Sequence, residues 1–320
     1  MGILVTGGTG FIGAEVVRLL LSEGEKNIVA FDINSSVKLL DDIAEQVEIV
    51  RGDLGNFSHV LNVVKKIRPK AVYHLGGMLS VPSDADPAGS FHANAKGTFN
   101  VLEAAKLFEV PQVLFSSTIG TYGLDIQEGE INDYSLQRPQ LFYGATKVFC
   151  EHMGLFYRRK YGLDFRGIRY PSIVGPGVKT AGVVQYTSWV IEESAKGRAF
   201  TVQVKPETRC PVMYFKDAAL AILKLAKAPK ENIKMINYLI AGVKPIATAQ
   251  ELVDMVRARI PGAQIDFQPD LQMQPILDKL LLPIDDTAAR KEWGWEAEYG
   301  QERMVDDFIE ELRVHRNRYE

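Results

Sequence analysis

Cysteine is nearly missing from this chain: two among 320 residues, Cys150 and Cys210. Two cysteines make no disulfide framework, which points to a reducing, cytoplasmic compartment. Histidine is sparse as well. His59, His74, His92, His152 and His315 are scattered. None pairs with Cys, Asp or Glu at metal-ligand spacing, so no metal is expected. No stretch approaches the ~20 apolar residues of a membrane span. Ile3-Leu4-Val5 runs straight into glycines with no basic segment ahead, so no signal peptide is expected either. Excess charge of one sign is also lacking: the formal net charge is −3, which gives no case for nucleic acid or an anionic membrane as partner. What remains is the composition of a soluble globular protein of one or two domains, 46% hydrophobic and 24% charged.

The first half alternates short apolar runs with helical patterns. Strands are expected at 2–6, 27–32, 47–50, 71–75, 112–116 and 164–170. Helices are expected at 11–23, 56–67, about 85–107 and 143–161. That alternation predicts parallel strands with right-handed crossovers, a doubly wound α/β (Rossmann) fold. After about residue 170 Pro171, Gly175-Pro176-Gly177 and Pro206 break the rhythm. Short helices follow at 184–196, 216–227, 247–259, 286–292 and 301–316, with a return to the sheet near 235–241. The expected division is a nucleotide-binding domain over 1–170 with a returning segment at 211–243. A smaller α/β substrate lobe takes 171–210 and 244–320.

Chemistry concentrates in three places. "GGTGFIG" places Gly7, Gly10, Phe11, Ile12 and Gly13 between the first strand and the first helix. Glycines let the backbone approach a pyrophosphate, and the helix start offers free N–H groups. Asp32 ends the next strand, about twenty residues on, where a carboxylate accepts from both ribose hydroxyls and repels a 2′-phosphate. NAD is therefore expected over NADP. Asp53 in "RGDLGN", followed by Leu54, could reach the adenine or be a plain turn residue. "LFYGATK" stacks Tyr143 and Lys147 on one helix face. A nearby ammonium favours phenolate, so the tyrosine pKa is expected to fall toward working pH. "LFSSTIG" brings the hydroxyls of Ser116, Ser117 and Thr118 to a strand's carboxyl end, as ligands for a reacting oxygen or as turn caps.

Together these motifs resemble the extended short-chain dehydrogenase/reductase superfamily over nearly the whole chain. The resemblance implies Thr118, Tyr143 and Lys147 as the catalytic set, with Tyr143 as base. It places Leu75, Gly76 and Gly77 of "HLGG" along NAD and Asn94 of "NAKGT" as an orienting asparagine. It sets Tyr170 and Pro171 beside the nicotinamide. "YHLGGMLS", "SSTIGTYG", "TRCPVMYFKDA" and "DDTAARKEWGW" are similar to the short-chain type L-threonine 3-dehydrogenases, metal-free enzymes that oxidise threonine with NAD. By position, Ser80, Ser117, Thr118, Tyr143, Val184 and Gln185 would meet the substrate.

One departure bears on the substrate. Where those enzymes typically carry "TAGTTDY", this chain has "TAGVVQY", with Val183, Val184 and Gln185 replacing two hydroxyls and a carboxylate. A buried ammonium needs acceptors, so the substrate is expected to be a small β-hydroxy compound, with or without an amino group. Two alternatives share the scaffold. One is a nucleotide-sugar 4-epimerase acting through tightly bound NAD, with Arg209 as a candidate for the second diphosphate. The other is an NAD-binding regulatory protein. Ile119 after Thr118 argues against dehydration. The helices near 85–107 and 143–161 carry Phe99, Val101, Leu102, Met153, Phe156 and Tyr157, some of which must face the sheet; the resemblance implies that these two helices pair two copies into a homodimer.

Overall fold

The computed structural model describes residues 2–34, 36–127, 129–179 and 183–319. In chain order the first part runs β1 (Ile3–Thr6), α1 (Phe11–Ser22), β2 (Ile28–Asp32), β3 (Glu48–Arg51), α2 (Phe57–Ile67) and β4 (Ala71–His74). Then come α3 (Ser80–Ala85), α4 (Pro87–Ser90), α5 (Gly97–Leu107), β5 (Gln112–Thr118), α6 (Phe142–Tyr161) and β6 (Asp164–Tyr170). The remainder contains β7 (Ser172–Val174), α7 (Tyr186–Ala195), β8 (Phe200–Val202), β9 (Val212–Tyr214), α8 (Phe215–Lys227), β10 (Asn237–Leu239), α9 (Ala249–Arg259) and β11 (Ile265–Phe267). It ends in α10 (Gln274–Leu280), α11 (Thr287–Trp293), α12 (Gln301–Val314) and α13 (Arg316–Tyr319).

Seven strands form one parallel sheet in the order β10-β6-β5-β4-β1-β2-β3. This is the doubly wound sheet expected from the sequence. The inner strands β1, β2 and β4 are mostly apolar and buried, because both faces are covered. Side-chain alternation sorts them. Ile3 and Val5 face a core built with α1 and α8, including Leu20, Ile222 and Trp295. Leu4, Phe115 and Phe165 face the other side, against α2, α5 and α6, with Val64, Leu102 and Cys150. A separate core, with Tyr186, Val190, Val253 and Phe308, underlies the later segments. The short parallel pairs β7–β9 and β8–β11 belong there. They are three residues each, too short to leave an alternation in the sequence.

Strand order reverses between β1 and β4, which both emerge at their carboxyl ends into one crevice, where such folds bind ligands. The helix expected at 85–107 is not continuous. A π-helical turn over Phe91–Lys96 interrupts it, and Pro87 opens a separate turn capped by the Asp86 carboxylate. An extra residue per turn widens the helix locally, often at functional sites.

Candidate active site

The turn after β1 is built by close backbone approach. Gly7 has φ of +68°, and a Cβ there would stand 2.7 Å from the Gly76 nitrogen. A Cβ on Gly13 would overlap the Gly7 carbonyl oxygen. Gly10 precedes α1 in extended conformation with no side-chain cap, so the N–H groups of Phe11, Ile12 and Gly13 face outward. Three donors at a helix start, in a cradle that side chains would fill, suit a diphosphate. The Phe11 ring turns away and stacks on Phe215 at 5.3 Å. Asp32 lies beside the cradle, held by Thr9 N–H at 3.2 Å and Asn34 N–H at 3.1 Å.

On the far side of the crevice, the Thr118 oxygen accepts the Gly120 N–H at 3.0 Å. Its hydroxyl faces the Tyr143 phenol closely enough to favour the ionised form. Lys147, one turn along α6 and only 5% exposed, donates to the Ser116 carbonyl at 2.7 Å. Burial pulls its pKa down to about 8, against the opposing pull of Cys150 and Glu151. Tyr143 moves the other way from expectation. Burial pushes it up to about 12, with the Thr118 hydroxyl the counteracting influence. The Lys147 ammonium does not offset that burial: it donates to the Ser116 carbonyl and stands 5.7 Å from the centre of the Tyr143 ring.

Behind β5 lies a buried ionic network. Arg169 grips Glu151 through Nη2 at 2.7 Å and reaches the Tyr122 hydroxyl and Asp133. Ser117 donates to Glu151 at 2.5 Å, and Gln137 to its other oxygen. Burial pushes the Asp133 carboxyl up to about 6, against the Leu239 N–H and Arg169. Among the described residues no group of three or more His, Cys, Asp or Glu could hold a metal, and no helix is long and apolar enough to cross a membrane.

The model of the NAD dependent epimerase/dehydratase family matches residues 3–241. The chain belongs to that family. It is 30% identical to bovine (Bos taurus) mitochondrial L-threonine 3-dehydrogenase, over 96% of this chain and 81% of the other. The L-threonine dehydrogenase structure from Phytophthora infestans superposes with TM-score 0.87 at 30% identity, covering 98% and 99% of the two chains. The Thermus thermophilus UDP-glucose 4-epimerase in complex with NAD does so at 0.83 and 26%, again covering 98% and 99%. NAD is thus the cofactor of an NAD-dependent enzyme of the extended short-chain dehydrogenase/reductase type, and the glycine cradle with Asp32 fits it.

Within this family frame, several expected residues land elsewhere. Ser117 is 3% exposed and spent on Glu151, because alternate residues of β5 face opposite sides of the sheet. Tyr170 is core: its hydroxyl donates to the Ala218 carbonyl at 2.9 Å. Asn94 is buried with its amide used internally, accepting from Met78 N–H at 2.7 Å and donating to Met78 O and Thr146 Oγ1. It ties the loop after β4 to the helix of Tyr143, the placement of an orienting side chain. Asp53 pairs with His92 at 2.9 Å and accepts from Gly55 N–H. Partial burial raises its pKa, but those two bonds outweigh it and hold the carboxyl below its usual range. The other expected residues stay at the crevice. Leu54, Leu75 and Gly76 are half-buried and Gly77 is exposed. Ser80 opens α3, half-buried.

In the substrate lobe, Val184 packs on the second core. Gln185 places its Oε1 in the interior with no hydrogen-bond partner. Thr180, Ala181 and Gly182, and the side chain of Val183, lie outside the described residues. Sequence reasoning missed Glu151 and Arg169. Their signals were present: Glu151 stands four after Lys147, and Arg169 breaks an apolar strand. Glu151→Ala strands the Arg169 charge, and removing one partner of a buried pair is strongly destabilising. Stability should fall by about 3–5 kcal/mol, read as a lower urea midpoint.

Proposed function

We propose that this NAD-dependent enzyme oxidises the hydroxyl of a small β-hydroxy (amino) acid, in the manner of an L-threonine 3-dehydrogenase. The observation that carries the reading is the Thr118–Tyr143 hydroxyl pair, one helical turn from Lys147, across the crevice from the glycine cradle. The likeness to L-threonine dehydrogenases over nearly the full chain supports it. The domain labour follows: residues 1–170 with 211–243 hold NAD, and 171–210 with 244–320 enclose the substrate. Both cysteines are buried free thiols, in keeping with a cytoplasmic location.

Bound NAD would supply the hydride acceptor. Thr118, whose oxygen already accepts the Gly120 N–H, would turn its proton from the Tyr143 phenol to the reacting oxygen. Tyr143 takes the hydroxyl proton, and Lys147 supplies positive charge below its pKa. Gln185 Oε1 is the acceptor for a donor on the substrate, the place an ammonium would sit. The second reading, a UDP-sugar epimerase, draws on the likeness to the Thermus enzyme. Against it, Arg209 directs its Nη1 to the Ile246 carbonyl and stands 3.6 Å from the Glu251 carboxylate, which offsets its charge.

The deciding assay is NADH formation from NAD⁺ with L-threonine, its stereoisomers, serine and 3-hydroxybutyrate. UDP-glucose and UDP-galactose are followed by product analysis. Steady NADH from a hydroxy (amino) acid is expected; sugar interconversion without net NADH would overturn the assignment. Tyr143→Phe should cost about 10²–10⁴-fold in kcat while NAD still binds. In the unaltered enzyme kcat/KM should climb from about pH 6 to about pH 7.5, since the base ionises above that range while Lys147 stays charged. A flat profile, or near-normal turnover in the phenylalanine variant, would remove Tyr143 as base.

Gln185 separates the substrates. With L-threonine, Gln185→Leu should lower kcat/KM by about tenfold or more, because the substrate donor loses its acceptor. If the same change leaves kcat/KM untouched while an amine-free hydroxy acid is turned over, the substrate carries no ammonium.

We further propose a homodimer through the outer faces of α5 and α6. Phe99 and Phe156 lie about half exposed, joined by Phe91, Leu107 and Phe149. Val101, Leu102 and Tyr157 are the members of the set that face the sheet, and Met153 packs against them. An apolar strip of this kind marks an interaction surface. Light scattering at micromolar protein should give a dimer mass, and Phe149→Asp with Phe156→Asp should give a monomer. A monomer mass for the unaltered chain would rule the interface out.

A further inference from the structure

His74 ends β4 and is 2% exposed. Its ring is held from both sides by threonines. Nδ1 lies 2.7 Å from Thr6 Oγ1 on β1, and Nε2 lies 3.0 Å from Thr98 Oγ1 on α5. Hydroxyl bookkeeping decides the direction of each bond. Thr98 donates its single proton to the Asn94 carbonyl at 2.7 Å, so its oxygen must accept from Nε2–H. Nδ1 is then bare and accepts from the Thr6 hydroxyl, whose oxygen takes the Gly76 N–H at 3.3 Å. All donors point one way: Gly76 to Thr6, Thr6 to His74, His74 to Thr98, Thr98 to the Asn94 carbonyl. A charged imidazole would carry two donors and break this chain. Burial, with Lys147 nearby, keeps the ring neutral.

The two ends of the chain matter for the cofactor. Gly76 is the backbone against which the Gly7 turn leans. Asn94 sits in the π-helical turn and fixes both Met78 and Thr146. We propose that His74 is a positioning residue for NAD, a neutral Nε2–H imidazole that locks the Leu75–Gly77 loop and the Asn94 turn in register with the first strand. It rests on NAD lying in the crevice between β1 and β4, and on no assumption about the substrate. An apolar ring of the same size would fill the space but leave Thr6 without an acceptor and Thr98 without a donor. An amide at the end of a glutamine side chain offers one acceptor and one donor, so it can serve both threonines.

The test is NAD affinity by calorimetry for the parent, His74→Phe, Thr98→Val and His74→Gln, with ¹⁵N NMR of the parent histidines. NAD should bind about tenfold more weakly to His74→Phe and to Thr98→Val, and within about threefold of the parent to His74→Gln. The His74 signal should be that of the Nε2–H tautomer and should not titrate across neutral pH. If His74→Phe fails to fold, Thr98→Val and the tautomer still decide. Parental NAD affinity in both disruptive variants, or an Nδ1–H tautomer, would overturn the proposal for His74 alone. No NAD binding by the parent would overturn it together with the cofactor site.

Discussion

The approach of two backbones at the carboxyl ends of β1 and β4 governs this molecule. Gly7 and Gly76 stand so close that neither turn can move without the other. The sheet order puts them there, since the chain reverses its winding between those two strands. Everything chemical then hangs on the rim of the same crevice: the cradle on one side, Asp32 beside it, and the Thr118–Tyr143 pair across it. The price is glycine at each contact, and Gly13 extends the rule into the helix that follows.

The second side of the crevice is held from behind. Thr118 is presented by β5, whose preceding residue, Ser117, is anchored to Glu151 and through it to Arg169. Lys147 is fixed by the carbonyl of Ser116. Consecutive residues of one strand thus have separate tasks because the pleat turns their side chains to opposite faces. Buried charge is tolerated here because Arg169 reaches Glu151, Asp133 and the Tyr122 hydroxyl at once.

The sheet and its main helices were legible because apolar runs and helical periodicity are long in the first half. The cradle was legible because glycine has few substitutes where backbones touch. Short strands such as β7 and β11 were not, since three residues carry no pattern. The π-helical turn at Phe91–Lys96 was hidden because its composition is that of an ordinary helix. The side chains of Ser117 and Tyr170 turn inward for a shared reason: sequence position says which loop or strand a residue occupies, while the direction of its side chain depends on neighbours distant in the chain. Tyr143 illustrates the same limit in electrostatics. Four-residue spacing put an ammonium on its face of the helix, but burial of the phenol outweighs that charge.

Lys147 has one more consequence. A buried amine with a pKa of about 8 is a charge that can be exchanged with the solvent near neutrality, so proton and ligand compete for the same electrostatic room. By linkage, a cation arriving beside it is held more tightly as pH rises past that value and expels a proton as it binds. An anion is held more tightly below it and draws a proton in. The charge of whatever lies beside Lys147 is therefore coupled to the protonation of that amine.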